Sequence, residues 1–455
     1  MKRLALTSLI KWKDNHKRKP LIVWGARQVG KTYLIKEMFA KKFYKNDYVY
    51  IDLAVENEIR EYCEKELDPK KIMSFISLVK NVPISTSTLL IFDEVQECLG
   101  VITSMKYFCQ DYREQPVIIT GSMVRTKLNR ENHKRGVKFA QNSFLFPVGK
   151  INQITIFPLN FEEFLINYNE QLYLKINEFY KKRIPLSNKE HQLAMDVLYK
   201  YLLIGGMPEV VDTFLEEENY FESREVLKEL YDNYLSDMQL YQASPESIIR
   251  SKAIFNSIYA ELNKDNKNFK SSLIETGAKT RDMKTPIDWL VTAMVVHKSY
   301  LVNEIVTTPL IQDESANFRL YLADIGMFSY QSGINTAAFL TRDSKNVLAG
   351  IFFENYVANE FISKNLKLCY WKGKNDSEIE FIVESLGDIY PIDVKKGRGN
   401  LNSLVKYRNH NSNKIAIKIS NNNYGYDKEN RLLTIPLYAV YLIAQDLASG
   451  SFRVE

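Results

Sequence analysis

Short apolar runs and longer stretches of helical spacing alternate along the first third of the chain. Leu21–Trp24 and residues 48–53, 88–92 and 116–119 each predict a buried strand. Between them, residues 33–38, 56–79 and 102–112 carry apolar side chains at helical intervals. Strands alternating with helices imply a parallel sheet covered on its faces. A further strand at 154–157 ends at Pro158, and a helix capped near Asn160 follows, with Glu163 placed as a capping-box residue. Helical patterns then dominate to about residue 265, interrupted at Gly205-Gly206-Met207-Pro208, where two glycines and a proline predict a tight connection. Short helical patterns at 271–300 lead to a strand at 301–306, an order compatible with a winged helix and equally with a packing module. Residues 318–326 predict a strand ending at a glycine turn. From about residue 340 the pattern is a helix at 352–360, strands at 368–372, 378–384, 389–395 and 415–420, and a turn at Leu386-Gly387-Asp388. Three domains are expected, at 1–165, 166–335 and 336–455.

Composition narrows the class but does not choose a function. The chain has 455 residues, 45% hydrophobic and 25% charged, as in ordinary globular proteins. No apolar run is long enough to span a bilayer, so no membrane partner is expected. The start, Met1-Lys2-Arg3-Leu4-Ala5-Leu6, lacks the long apolar region of a signal peptide. Cys63, Cys98, Cys109 and Cys369 are scattered without a C-x-x-C pair, which argues for a reducing cytoplasm and against a structural zinc. A net charge of +6 permits nucleic-acid contact without requiring it. The basic stretch at 11–19 reads as a solvated face.

The chemistry begins after the first strand. Gly25-Ala26-Arg27-Gln28-Val29-Gly30-Lys31-Thr32 follows the G-x-x-x-x-G-K-[ST] pattern, with a strand before it and a helix after it. Such a loop turns its N–H groups and the helix N-terminus toward phosphate oxygens. Lys31 would reach the β- and γ-phosphates, and Thr32 would hold Mg²⁺. Roughly sixty residues on, the strand at 88–92 ends in Asp93-Glu94, the Walker B pattern. Asp93 would bind Mg²⁺ through water, and Glu94 would act as general base. The strand at 116–122 ends at Thr120-Gly121-Ser122, where Thr120 and Ser122 are candidates for sensing the γ-phosphate and Ser122 is assigned to the catalytic set. Residues 125–138 are rich in Arg and Lys. They read best as a solvated loop, with a charge-stabilising arginine for a neighbouring subunit or a nucleic-acid contact as alternatives.

A second constellation lies near the C-terminus. Asp393-Val394-Lys395 follows Glu380 by one hairpin, the layout of a PD-(D/E)xK nuclease core. Glu380 and Asp393 would share a divalent ion, Lys395 would position or deprotonate water, and Glu354 on the preceding helix would complete the shell.

Taken together, the motifs resemble a family of prokaryotic AAA-type ATPases that join a P-loop domain to a C-terminal domain of uncharacterised function with a nuclease-like end. The resemblance rests on GARQVGKT at 25–32, LLIFDEVQ at 89–96, ITGS at 119–122, FPLNFEEF at 157–164, LIGGMPE at 203–209, YLADIGM at 321–327, FFEN at 352–355, and EIEFIV with DVK at 378–395. It implies an α/β chain with a parallel-sheet P-loop NTPase domain, a helical and winged-helix-like middle and a small α/β nuclease-like end. It also implies ATP and Mg²⁺ as cofactors and ATP hydrolysis as the activity. Family members usually carry Gly-Arg just before the FPL strand, where this chain has Gly149-Lys150. Lysine lacks the bidentate fork of arginine, so hydrolysis would be slow or would depend on Arg125 or Arg130. The leading expectation is an ATP-driven switch for the C-terminal domains. A nucleotide-gated nuclease and a non-hydrolysing ATP-binding adaptor are the alternatives. DNA, another protein and further copies of the chain are the candidate partners.

Overall fold

Burial of apolar strands on both faces accounts for the first sheet. The computed structural model describes residues 1–122, 147–242, 244–302, 305–312, 317–340, 349–373, 377–395, 402–411 and 415–453. They divide into Arg3–Phe157 and, with Met1–Lys2, Pro158–Glu455. Arg3–Phe157 is built on β1 (Leu21–Trp24), β2 (Tyr48–Asp52), β3 (Leu89–Asp93), β4 (Val117–Thr120) and β5 (Asn152–Thr155). The order is β2-β3-β4-β1-β5 and every pairing is parallel. β1, β3 and β4 are buried along their whole length, as expected for inner strands covered by helices. β4 lies between β1 and β3, so the carboxyl ends of those three strands are neighbours on one edge, where ligands bind in parallel sheets.

Two helical stretches depart from the expected pattern. Residues 31–43 are helical throughout, but the middle, Leu34–Ala40, is a π-helix set between the α-helical turns Lys31–Tyr33 and Lys41–Phe43. The single helix expected at 56–79 is two, Asn57–Lys65 and Pro69–Lys80. Asp68 accepts from the Lys70 N–H at 2.9 Å and Pro69 opens the new helix, a start signal that overrides the continuous apolar spacing.

Pro158–Glu455 begins with helices Phe161–Tyr168, Glu170–Lys182, Asn188–Ile204, Pro208–Glu217, Tyr220–Tyr241 and Pro245–Leu262. Asn160 caps the first of them by accepting from the Glu163 N–H at 2.9 Å. The break after Ile204 uses Gly205 at φ +77°, and Asp324 accepts from the Gly206 N–H at 2.7 Å. Asp324 also caps the helix Ile325–Ser332, so Gly326 sits in a helix and not in the turn expected there. A Cβ on Gly326 would lie 2.3 Å from the Ile204 carbonyl oxygen, so its role is close packing.

Two sheets complete this unit. β6 (Val296–Leu301), β7 (Phe318–Leu322), β8 (Cys369–Lys372) and β9 (Glu378–Ile379) form a sheet in the order β7-β6-β8-β9. β6 falls in the stretch expected to be helical and shares only Leu301 with the strand expected at 301–306, of which 303 and 304 lie outside the described residues; its polar interior, His297-Lys298-Ser299, hides it from a search for apolar runs. β10 (Phe381–Ser385), β11 (Asp388–Lys395), β12 (Ala416–Ser420), β13 (Gly425–Asp427) and β14 (Leu432–Pro436) form the other, in the order β10-β11-β12-β14-β13. The strand expected at 378–384 breaks at Glu380, with β9 in one sheet and β10 in the other.

Candidate functional site

The loop between β1 and the helical stretch at 31–43 needs small or left-handed residues, and it has them. A Cβ on Gly25 would lie 2.6 Å from the Ile156 carbonyl oxygen, and Gly30 has φ +83°. Ala26 and Val29 are buried while Arg27 and Gln28 are exposed, so the loop anchors on its apolar members. Arg3 braces it from outside, donating to the Val29 carbonyl at 3.1 Å and to the Phe157 carbonyl at 2.7 Å. Lys31 is buried, and its ammonium donates to the carbonyls of Gly25 (3.1 Å) and Ala26 (2.7 Å). Burial lowers its pKa to about 8, with Glu94 and Asp93 pulling it part of the way back and Arg27 adding to the fall.

The strand order brings the acids to this lysine. Thr32 Oγ1 donates to Asp93 Oδ2 at 2.7 Å, and Tyr50 on β2 donates its phenol to the same oxygen at 2.9 Å. Asp93 is buried, and its other oxygen accepts from the Glu94 N–H at 2.8 Å. Glu94 is held at φ +50°, in the left-handed region, and the Gln96 side chain donates to its carboxylate. Burial raises the Glu94 pKa; Gln96 opposes the rise, Asp93 adds to it and Lys31 opposes it. On β4, Thr120 is buried and its hydroxyl donates to the Val23 carbonyl at 3.2 Å, which ties β4 to β1. Ser122, half-buried, is left as the polar side chain just past that strand end. Lys150 is also half-buried. Arg125 and Arg130, with the rest of the basic stretch to Lys138, lie outside the described residues.

Comparison with known families agrees with this geometry. Residues 17–165 match the profile of an AAA domain family. This stretch is an AAA-type P-loop ATPase domain. Residues 195–338 match a domain of unknown function, DUF8612, and residues 349–438 match another, DUF4143. No curated protein matches the chain. Solved structures with remote similarity include AMPPCP-bound DnaA from Aquifex aeolicus, at 15% identity and TM-score 0.29, over 64% of this chain and 86% of that one. A replication initiator DnaA bound to AMPPCP and single-stranded DNA aligns at 14% identity and TM-score 0.29, over 64% and 87%. A DNA replication initiation factor aligns at 15% identity and TM-score 0.25, over 78% and 93%.

Outside the AAA domain, the DUF4143 stretch contributes most of a second cluster. Glu380 and Asp393 both contact Lys395, at 3.1 and 2.8 Å, and Glu380 accepts from the Val394 N–H at 3.2 Å. Glu354, on the helix Ala349–Ser363, faces the same region but is bound by residues from earlier in the chain. Lys267 contacts it at 2.5 Å, Arg319 at 3.2 Å, and the Tyr321 phenol donates to it at 2.6 Å. Lys267 also approaches Glu378 and Glu380, at 3.7 and 4.0 Å, and Arg319 pairs with Glu378 at 2.6 Å. The Arg319 guanidinium lies over the Tyr370 ring, 4.0 Å from its centroid. Burial pulls Lys267 down, but Glu354 and Glu380 outweigh burial and the opposing Arg319, and Glu378 adds to the rise, so its pKa ends above the ordinary lysine range.

Sequence reasoning missed Arg3, Tyr50, Gln96, Lys267 and Arg319. Arg319 carried a signal: a guanidinium between Phe318 and Leu320 in an apolar strand needs a buried partner. Lys267 sits in a polar connection after the helix Pro245–Leu262 and carried none.

Proposed function

We propose that this chain binds ATP with Mg²⁺ in its AAA domain, hydrolyses it, and uses the nucleotide state to control the segments after Pro158. The meeting of Thr32, Asp93 and Lys31 around one loop carries the reading. A hydroxyl and a carboxylate make an oxygen-only donor pair, which suits Mg²⁺. Thr32 would hold the ion directly and Asp93 through water, and the bound ion would offset charge on the β- and γ-phosphates. Lys31 would exchange the Gly25 and Ala26 carbonyls for phosphate oxygens, while the loop N–H groups from Gly25 to Thr32 cradle the chain of phosphates. Glu94 would orient water toward the γ-phosphorus and accept its proton as the bond to the β-phosphate oxygen breaks. A pKa raised by burial and a Gln96 brace suit that task. Ser122 would sense the γ-phosphate. Lys150, where the resembled family usually carries arginine, would make turnover slow or dependent on Arg125 or Arg130.

Domains at 166–335 and 336–455 would receive the signal. The helix Lys284–Thr292 followed by the antiparallel pair β6 and β7 supports a winged-helix-like element. The order from Ala349 to Ser420, a helix, the four strands β8 to β11 with β9 and β10 separated only at Glu380, a second helix and β12, supports a nuclease-like core. DNA is therefore the first partner to test, with a protein or a second copy next. Four free, buried cysteines accord with a cytoplasmic setting. Among the described residues no helix is long and apolar enough to cross a membrane.

Nucleotide titration and phosphate release test the reading. Lys31→Ala is expected to weaken ATP binding by roughly 10–100-fold, the worth of a charge-assisted hydrogen bond. Glu94→Gln should keep binding and lose phosphate release by about 10²–10⁴-fold. Unchanged release in Glu94→Gln would sink the hydrolytic mechanism. Tight ATP binding with no release by the unmodified chain would leave an adaptor.

A further inference from the structure

A nuclease-like core implies a divalent ion between Glu380 and Asp393, and the residues present do not fit one. Such an ion needs carboxylates whose charge is left for it. Here each carboxylate already faces a cation of the chain. Lys395 bridges Glu380 and Asp393. Lys267 takes Glu354 at 2.5 Å and lies within 4.0 Å of both Glu378 and Glu380. Arg319, fully buried, joins Glu354 to Glu378. Lys418 is the register partner of Asp393 on β12 and faces it from the same side of the sheet. Four acids thus lie among four bases, with charge pairing to Lys395 in place of hydrogen bonds at Asp393, whose buried oxygens have no hydrogen-bond partner among the described residues. Among the described residues no group of three or more His, Cys, Asp or Glu is arranged to hold a metal ion.

We propose that the Lys267 ammonium is a resident cation that neutralises Glu354, Glu378 and Glu380 and, beside Lys395 between Glu380 and Asp393, closes this cluster to metal-dependent cleavage. Lys267 is central because, among the described residues, it alone approaches three of the carboxylates, Glu354, Glu378 and Glu380, and it arrives from a segment outside the nuclease-like core. A lysine ammonium is a compact point charge that can take several carboxylates at once, as an ion would. Removing it leaves a buried, under-neutralised set of carboxylates that would recruit an ion from solution. The inference is independent of nucleotide binding, which involves none of these residues.

Thermal melting of the full chain with and without millimolar Mn²⁺ tests it, in an Asp93→Asn background that silences the first metal site. With Lys267 intact, Mn²⁺ should leave the transition unmoved. Lys267→Met should melt lower and recover by at least roughly 2–4 °C when Mn²⁺ is added, through preferential binding to the folded state. Adding Glu380→Gln to Lys267→Met should abolish that recovery. Stabilisation by Mn²⁺ with Lys267 intact, lost in Glu380→Gln, overturns the proposal even if Lys267→Met fails to fold. A folded Lys267→Met chain indifferent to Mn²⁺ overturns it as well. Mn²⁺-dependent DNA cleavage by the Lys267 chain that disappears in Asp393→Asn would do the same.

Discussion

The loop at Lys31 and the cluster at Lys267 each set a lysine among carboxylates, and the two lysines are held in opposite ways. Lys31 rests on two backbone carbonyls, and burial drops its pKa to about 8. Lys267 rests directly on carboxylates, which together overcome burial and raise it. A cation held by neutral carbonyls gains when an anion arrives, because phosphate offers the full charge that the carbonyls lack. A cation paired with carboxylates has no such deficit, and a new ligand would have to break buried ion pairs to enter. Residue types alone therefore do not distinguish a ligand site from a structural one. The partner of the lysine does.

The sharpest way to break this comparison is to remove a carboxylate from the second cluster. Glu354→Ala strands Lys267 and Arg319, and unfolding free energy should fall by about 3–5 kcal/mol by denaturant titration. A loss below about 1 kcal/mol would mean that the network is loosely held and open to ligands. A smaller effect is expected at Lys31 without nucleotide. Its folded pKa lies below the unfolded value, so the unfolded chain binds more protons between pH 8 and 10.5 and stability rises with pH across that window. Melting curves should show a gain on the order of 1–3 kcal/mol there, absent in Lys31→Met. Smaller still is Tyr50→Phe. It removes one hydrogen bond to Asp93 and should change Mg²⁺-dependent ATP affinity by less than about tenfold, leaving Mg²⁺-free binding alone.

Local signals were legible and distant partners were not. The loop at 25–32 and the Asp93-Glu94 pair declare themselves because each chemistry is written in a few adjacent residues after an apolar run. The parallel sheet followed from alternation, yet β4 between β1 and β3 had to be seen, and that order is what brings Thr120 to Val23. Thr120 was a sensor candidate because a strand end exposes polar groups, and its hydroxyl donates to the Val23 carbonyl of β1. Tyr50 reaches Asp93 across 43 residues of sequence and Lys267 reaches Glu354 across 87, separations at which no spacing rule operates. Glu354, Glu380, Asp393 and Lys395 lie in one ion-pair network; Lys395 is the motif's own cation, whereas Lys267 and Arg319 come from outside it.

Glu380 is the point where β9 in one sheet hands over to β10 in another, and the side chain at that joint is part of the ion-pair network. The network therefore acts as a rivet between two sheets as well as a charge balance. Amide protons of β8 and β11 should then exchange with solvent through a shared opening, because loosening one sheet unpairs charges anchored in the other. Mechanical continuity through a single buried carboxylate would give this part of the chain one cooperative unit where its strand lengths alone suggest two.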